Sequence, residues 1–226
     1  LRPLLFLYFI SDLPNRLTCS NLLFVGDLKI YSPITNFTDC LIIQNNFNII
    51  SQWCTENELF LNVTKCKICS FTRKTRPVEF NYTLEDVSLV RCSEVKDLGV
   101  LFDAKLEFSS HIDTIVSSAI KSYGFLVRDC KSFSNEMALK NLYYTLVRSK
   151  LEYASSVWNP CYQNRINTIE GVQRRFLKYL TLKKDGIYPS RGSDHHVMLV
   201  RFEMQPLELR RINNSLKFLF KLVRNQ

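Results

Sequence analysis

Leu22-Leu23-Phe24-Val25-Gly26-Asp27-Leu28-Lys29-Ile30-Tyr31 decides the fold: two short apolar runs meet at a Gly-Asp pair. Apolar segments of this length flanking such a pair read as two strands around a tight turn. Glycine in a two-residue turn relieves positive φ, and the turn carries one carboxylate, Asp27. Upstream, Leu4, Leu5, Phe6, Tyr8 and Phe9 predict a short buried helix ending before Pro14, because proline lacks an amide proton and disfavours helix in the residue before it. Downstream, Thr38 is the expected N-cap, with Asp39 in the first turn, of an amphipathic helix through Leu41, Ile42, Phe47, Ile49, Ile50 and Trp53 to about Cys54. Strands are expected near 65–71, 79–84, 87–91 and 97–102.

After Phe108 the apolar period lengthens from strand-like to helical. Ile112, Ile115, Val116, Ala119, Ile120, Tyr123 and Leu126 recur at three and four residues along one face. Leu139, Leu142, Tyr143, Leu146 and Val147 predict a second helix, Ile166 through Leu180 a third, and Leu207 to Val223, after Pro206, a fourth. The expected fold class is α+β: a strand-rich part over residues 1–105, then an all-helical part over 106–226, the change falling near 103–110.

The chain has 226 residues, 46% of them apolar, which suits a folded protein of one or two domains. Its six glycines are never closer than six residues apart, so no phosphate-cradling glycine loop can be written. Three histidines and eight cysteines include one C-x-x-C, Cys66 to Cys69, without a second pair at zinc spacing; ordinary strand cysteines are expected there. His195-His196 beside Asp194 reads as a polar loop before a helix. The apolar run Leu1–Ile10 is about half the roughly 20 residues of a bilayer span. It lacks the basic leader and cleavage site of a signal peptide, so the expectation is an intracellular protein, nuclear or cytoplasmic and not secreted. Reduced thiols follow, and the Asn-x-Ser/Thr matches at Asn36, Asn62, Asn81 and Asn213 are taken as chance. The sequence opens on Leu, and an upstream portion is expected.

Charge is unevenly placed. Through Glu107 there are 11 basic and 12 acidic residues, and beyond it 19 basic against 9 acidic. The excess therefore lies wholly in the helical part, where a polyanionic partner would bind; a solvated basic helix face is the alternative.

Several ordered segments carry a resemblance. Leu1-Arg2-Pro3-Leu4-Leu5-Phe6 with Phe9-Ile10-Ser11-Asp12-Leu13-Pro14 resembles the "LGPLLF…FINDLP" stretch of reverse transcriptases of non-LTR retrotransposons of the jockey or LINE-like kind. Phe24-Val25-Gly26-Asp27 falls where that family has Phe-Ala-Asp-Asp. Trp53-Cys54 with Leu61–Lys67 is similar to the stretch after the palm helix, and Lys96–Asp103 to the primer-grip strand. Leu151–Pro160 and Ile169–Leu177 are similar to the thumb and connector. The resemblance runs over about residues 1–200 and implies a partial polymerase palm followed by a basic thumb or connector.

It also implies a chemistry. Joining a nucleotide to a primer 3′-hydroxyl is an in-line phosphoryl transfer between two Mg²⁺ ions about 3.5–4 Å apart, held by hard carboxylate oxygens. The family places those carboxylates on an earlier palm strand, which would precede residue 1, and at the first hairpin position, here Gly26. Only Asp27, at the second position, remains as a catalytic and metal-ligand remnant. The resemblance further makes Lys65 a candidate general acid, Leu98 and Gly99 the primer grip, and Arg174, Arg175, Lys178, Lys183 and Lys184 contacts to an RNA template and DNA primer duplex. The expectation is a reverse-transcriptase-like fragment that does not polymerise alone, retains non-specific nucleic-acid binding and has no membrane partner. A host-retained binding or interaction module and a translated relic without function are the alternatives.

Overall fold

The Leu22–Tyr31 stretch forms a hairpin in the computed structural model of the chain, which describes residues 2–224. Leu1, at the head of the resembling Leu1–Phe6 stretch, lies outside them. Packing divides the chain into two units, Leu1–Val95 and Lys96–Gln226. Among the described residues, helices and four two-stranded sheets make the class α+β.

In the first unit α1 (Arg2–Phe9) and α2 (Leu13–Arg16) precede β1 (Ser20–Phe24) and β2 (Asp27–Tyr31), which pair antiparallel with Leu23 opposite Leu28. α3 (Phe37–Glu56) follows, then a 3₁₀ turn (Val63–Lys65), β3 (Lys67–Cys69), β4 (Thr83–Leu84), β5 (Val87–Ser88) and β6 (Val90–Cys92). β4 pairs antiparallel with β5, and β3 runs parallel to β6 with Cys69 opposite Cys92. Two small cores result. Ile10, Leu13, Ile50, Trp53 and Cys54 form one, against which Leu23, Leu28 and Ile30 of the hairpin pack. Cys40, Tyr82, Leu84 and Leu89 form the other.

Three expectations for this unit are corrected. α1 is a helix but not a buried one, for Leu4, Leu5, Phe6, Leu7, Tyr8 and Phe9 are all exposed. From Leu4 to Phe9 its residues are apolar all round, and the cluster it leads to takes in only Ile10 and the edge of Phe9 against Trp53. The N-cap of α3 is Asn36, not Thr38: Asn36 Oδ1 accepts from the Asp39 amide at 3.0 Å while the Asp39 carboxylate accepts from the Asn36 amide at 3.1 Å, a reciprocal box. Leu41 and Ile42 are exposed, the inward face being Cys40, Asn46, Ile50, Trp53 and Cys54. The strand expected over 79–84 survives only at Thr83–Leu84. There the Gln44 side chain substitutes for a neighbouring strand, donating to the Thr83 carbonyl and accepting from its amide, each at 2.9 Å.

The second unit opens on β7 (Glu94–Asp97) paired with β8 (Val100–Asp103), the packing division falling inside β7. α4 (Ser109–Asp129) comes next. An unbroken helical run then comprises α5 (Glu136–Tyr143), a π-helical turn (Tyr144–Arg148) and α6 (Ser149–Glu152). The wider π turn shifts the inward positions to Tyr143, Val147 and Leu151, leaving Leu146 exposed. α7 (Ser155–Trp158), α8 (Gln163–Asp185), α9 (His195–Arg201) and α10 (Leu207–Val223) complete the unit. Val100 of β8 belongs to the same core as Ile112, Phe176 and Leu207, which is why the β7–β8 pair groups with the helices. Tyr143 stacks on Phe176 with centroids 4.0 Å apart and donates to Gln173 Oε1 at 3.3 Å. Gln173 in turn donates to the Gln205 carbonyl at 2.8 Å. Among the described residues no helix is long and apolar enough to cross a membrane.

Candidate functional site

The hairpin turn is one residue earlier than the Gly-Asp pair suggests. Phe24 pairs with Asp27, so Val25 and Gly26 form the turn and Asp27 opens β2. The positive φ, 56°, falls on Val25 and not on Gly26, which corrects the expectation that glycine relieves it. A β-branched residue in that region is strained. A Cβ on Gly26 would lie 3.6 Å from the Phe6 ring, an ordinary contact, so the position has room for a side chain. Alternation along the hairpin points Leu23, Leu28 and Ile30 to the Trp53 cluster and leaves Leu22, Phe24 and Asp27 exposed. One carboxylate, that of Asp27, stands at this turn.

What holds the hairpin in place was not evident from its own residues. Asn46 of α3 is fully buried and every polar atom of its side chain is used. Oδ1 accepts from the Thr18 amide at 2.8 Å and the Cys19 amide at 3.2 Å, while Nδ2 donates to Thr18 Oγ1 and the Ile42 carbonyl, each at 2.8 Å. The chain entering β1 is thereby fastened to the helix behind it. Trp53 Nε1 donates to Asp12 Oδ2 at 3.0 Å, tying α2 to the same helix. Lys65 ends the 3₁₀ turn and is exposed; no hydrogen bond or ion pair joins it to Asp27.

Leu98 and Gly99 do not lie within one strand over 97–102: they are the two-residue turn between β7 and β8, with φ of 43° and 86°. Tyr153, from the resembling segment Leu151–Pro160, donates to the Leu98 carbonyl at 2.9 Å. A Cβ at Gly99 would lie 3.2 Å from the Tyr153 ring, so both the conformation and the close approach require glycine. Two segments distant in sequence thus meet at this turn. His111 of α4 braces it from below, accepting from the Leu101 amide through Nδ1 at 3.3 Å with its ring edge-on to Trp158. Burial pushes the His111 pKa down.

The five expected nucleic-acid contacts on α8 divide into two kinds. Arg174 and Arg175 are exposed, and their guanidinium groups make no hydrogen bond or ion pair among the described residues. The three lysines are engaged with the protein itself: Lys178 donates to the Ser190 carbonyl at 2.9 Å, Lys183 to the Lys131 carbonyl, and Lys184 to Glu136 at 3.1 Å. Lys140, then Lys184, hold the Glu136 carboxyl below its usual range against the opposing effect of burial.

His195 is the first residue of α9, not part of a preceding loop, with Asp194 as its cap. Its ring lies 3.5 Å from the buried Glu170 carboxylate, beside a cavity of about 320 Å³ lined in part by Asn167, Arg174 and Glu208. Among the described residues no three His, Cys, Asp or Glu side chains gather as metal ligands, Cys66 and Cys69 included. All eight cysteines are free thiols.

Comparison with known proteins adds an independent line. The chain is 26% identical over 212 residues, 87% of its length, to a probable RNA-directed DNA polymerase from transposon BS of Drosophila melanogaster. It is 26% identical over 136 residues, 58% of its length, to a probable RNA-directed DNA polymerase from transposon X-element of the same fly. An uncharacterized protein of Caenorhabditis elegans is 33% identical over 82 residues, 36% of this chain and 41% of that protein. The chain spans 23% and 14% of the length of the two transposon polymerases. No family model and no solved structure matches it. Over most of its length, then, the chain is similar to a portion of retrotransposon RNA-directed DNA polymerases.

Proposed function

We propose that this chain corresponds to the palm hairpin and thumb portion of a retrotransposon reverse transcriptase, that it does not polymerise DNA by itself, and that it retains sequence-indifferent affinity for nucleic acid. The observation that carries the reading is the hairpin turn: at Gly26-Asp27, where the resembling enzymes have paired aspartates, Gly26 sits in the turn without a side chain and Asp27 alone of the two carries a carboxylate. Two-metal phosphoryl transfer needs carboxylates that bridge or flank both ions, and Mg²⁺ is bound reluctantly without them. A single exposed carboxylate does not fit a metal pair, so no catalytic step is assigned through one. Losing such a charge clamp costs several kcal/mol of barrier, and about 1.4 kcal/mol is tenfold in rate.

The nucleic-acid part of the proposal rests on charge. The residues beyond Glu107 carry 19 basic against 9 acidic groups, and Arg174 and Arg175 present uncommitted guanidinium groups on one helix. Contacts to phosphate position a protein without reading sequence. Primer extension on an RNA template with Mg²⁺ or Mn²⁺ tests the catalytic part. No incorporation above a protein-free control is expected, and incorporation would overturn the reading.

A further inference from the structure

β3 and β6 run parallel, and their side chains show which face is which. Ile68 packs inward against the cluster of Cys40, Tyr82, Leu84 and Leu89. Lys67 and Cys69 on either side of it therefore stand on the outer face, with Val90 and Cys92, their partners in register. Val90 is 69% exposed and both cysteines are half-buried, so neither is closed off from solvent. Paired residues of adjacent strands lie about 4.8 Å apart, within the roughly 4.4–6.8 Å between Cα atoms that a disulfide spans. Cys92 Sγ donates to the Ile68 carbonyl at 3.3 Å, which places its sulfur toward β3, one residue from Cys69. The C-x-x-C spacing would pair Cys69 with Cys66 instead, but Cys66 packs with the inner cluster, and its thiol donates to the Asn62 carbonyl at 3.5 Å. Burial, with the charge of Glu85, pushes the Cys66 thiol up, away from the thiolate that reacts.

We propose that Cys69 and Cys92 are a redox-modified dithiol, joined by a reversible disulfide when the chain meets hydrogen peroxide. One thiolate attacks a peroxide oxygen, the O–O bond breaks, and a sulfenic acid and water are formed. The second thiol attacks that sulfur, the S–S bond forms, and the sulfenic oxygen leaves as a second water. Two cysteines are oxidised by the two electrons that reduce the peroxide. The cross-link closes residues 69–92, a loop that contains the irregular stretch 70–82, and so removes freedom from the unfolded chain. Oxidation thereby fastens the first unit where it has least regular structure.

The test uses the full chain carrying Cys161→Ser, since exposed Cys161 would otherwise link two molecules. After peroxide treatment the remaining thiols are alkylated and the peptides mapped by mass spectrometry. Loss of two thiols per chain is expected, with one cross-linked peptide holding Cys69 and Cys92 that dithiothreitol releases. In concentrated urea, where the register is gone, the same treatment should give mixed pairings. Oxidised chain then nicked by protease within 70–82 should run as one band in denaturing gels without reductant and as two pieces with it. Absence of the Cys69–Cys92 peptide, a Cys66–Cys69 peptide in its place, equal yield from the unfolded chain, or separation of the nicked pieces without reductant would each overturn the proposal.

Discussion

Asn46 and His111 hold turns in place through groups that have no substitute, and each sets a measurable response. Replacing Asn46 with Leu keeps the volume but strands the Thr18 and Cys19 amides. A buried donor left unmade costs about 1–3 kcal/mol, so N46L should lower the stability of the first unit by about 3 kcal/mol in urea denaturation. A loss within experimental error would mean that the joint contributes nothing. At His111 the Leu101 amide points at Nδ1, which must stay unprotonated to accept it, and burial holds the folded pKa below the ordinary value of about 6.5. The unfolded chain then binds the proton more readily than the folded one, so this contribution is present above about pH 6.5 and fades as the pH falls through the lower folded value. His111→Phe should flatten stability against pH below neutrality while lowering it overall, as followed by denaturation at a series of pH values; an unchanged slope would place the titration elsewhere. Neither residue was legible in the sequence. A mid-helix Asn and an isolated His carry no periodic or motif signal, and their roles exist only because Thr18 and Leu101 arrive beside them through tertiary packing. Gly26 was expected to take the positive φ of the turn, and it does not. Which residue of a two-residue turn takes the left-handed conformation depends on the pairing register, and Phe24 opposite Asp27 puts it on Val25.

At the scale of elements the helices were readable where a long apolar period ran uninterrupted. α10 spans Leu207–Val223, the bounds expected from Pro206 and the apolar repeat. α4 and α8 likewise follow their stripes. The readings failed where local exceptions rule: the Asn36 and Asp39 box moved an N-cap by two residues, a π turn changed the inward set after Tyr143, and a two-residue turn split the strand expected over 97–102. Short strands were over-extended because a helix side chain, Gln44, satisfies Thr83 in place of a longer ladder. On α8 the structure separates cations that sequence alone could not. Arg174 and Arg175 are uncommitted, whereas Lys184 is tied to Glu136 at 3.1 Å and Lys178 to the Ser190 carbonyl at 2.9 Å. Filter binding of single-stranded RNA across a salt series should therefore give a slope that falls by roughly one for each arginine changed to Ala, with little change in melting. Lys184→Ala should instead lower stability slightly and leave the slope nearly unaltered. Equal slopes for all three variants would contradict the division.

The two units are unequally built, and the whole molecule should behave accordingly. The second unit has a single core that links Val100 of β8 through α4, α8 and α9 to Leu207, whereas the first relies on two small clusters around Trp53 and Tyr82. The first unit also leaves Leu4, Leu5 and Tyr8 of α1 and Leu22 and Phe24 of the hairpin in water. Buried apolar area contributes about 25 cal/mol per Å², so the unit with less of it opens more readily, and exposed apolar helices and strand edges promote aggregation when it does. Limited proteolysis should cut first within the irregular stretch between β3 and β4, residues 70–82, and leave a protected fragment beginning near Lys96. Heating should produce an early transition accompanied by light scattering, followed by a later one in which the helical signal of the second unit is lost. A single sharp melt with coincident loss of all probes, and no resistant fragment, would mean that the two units unfold as one cooperative body. The greater stability would then have to come from contacts outside the three clusters.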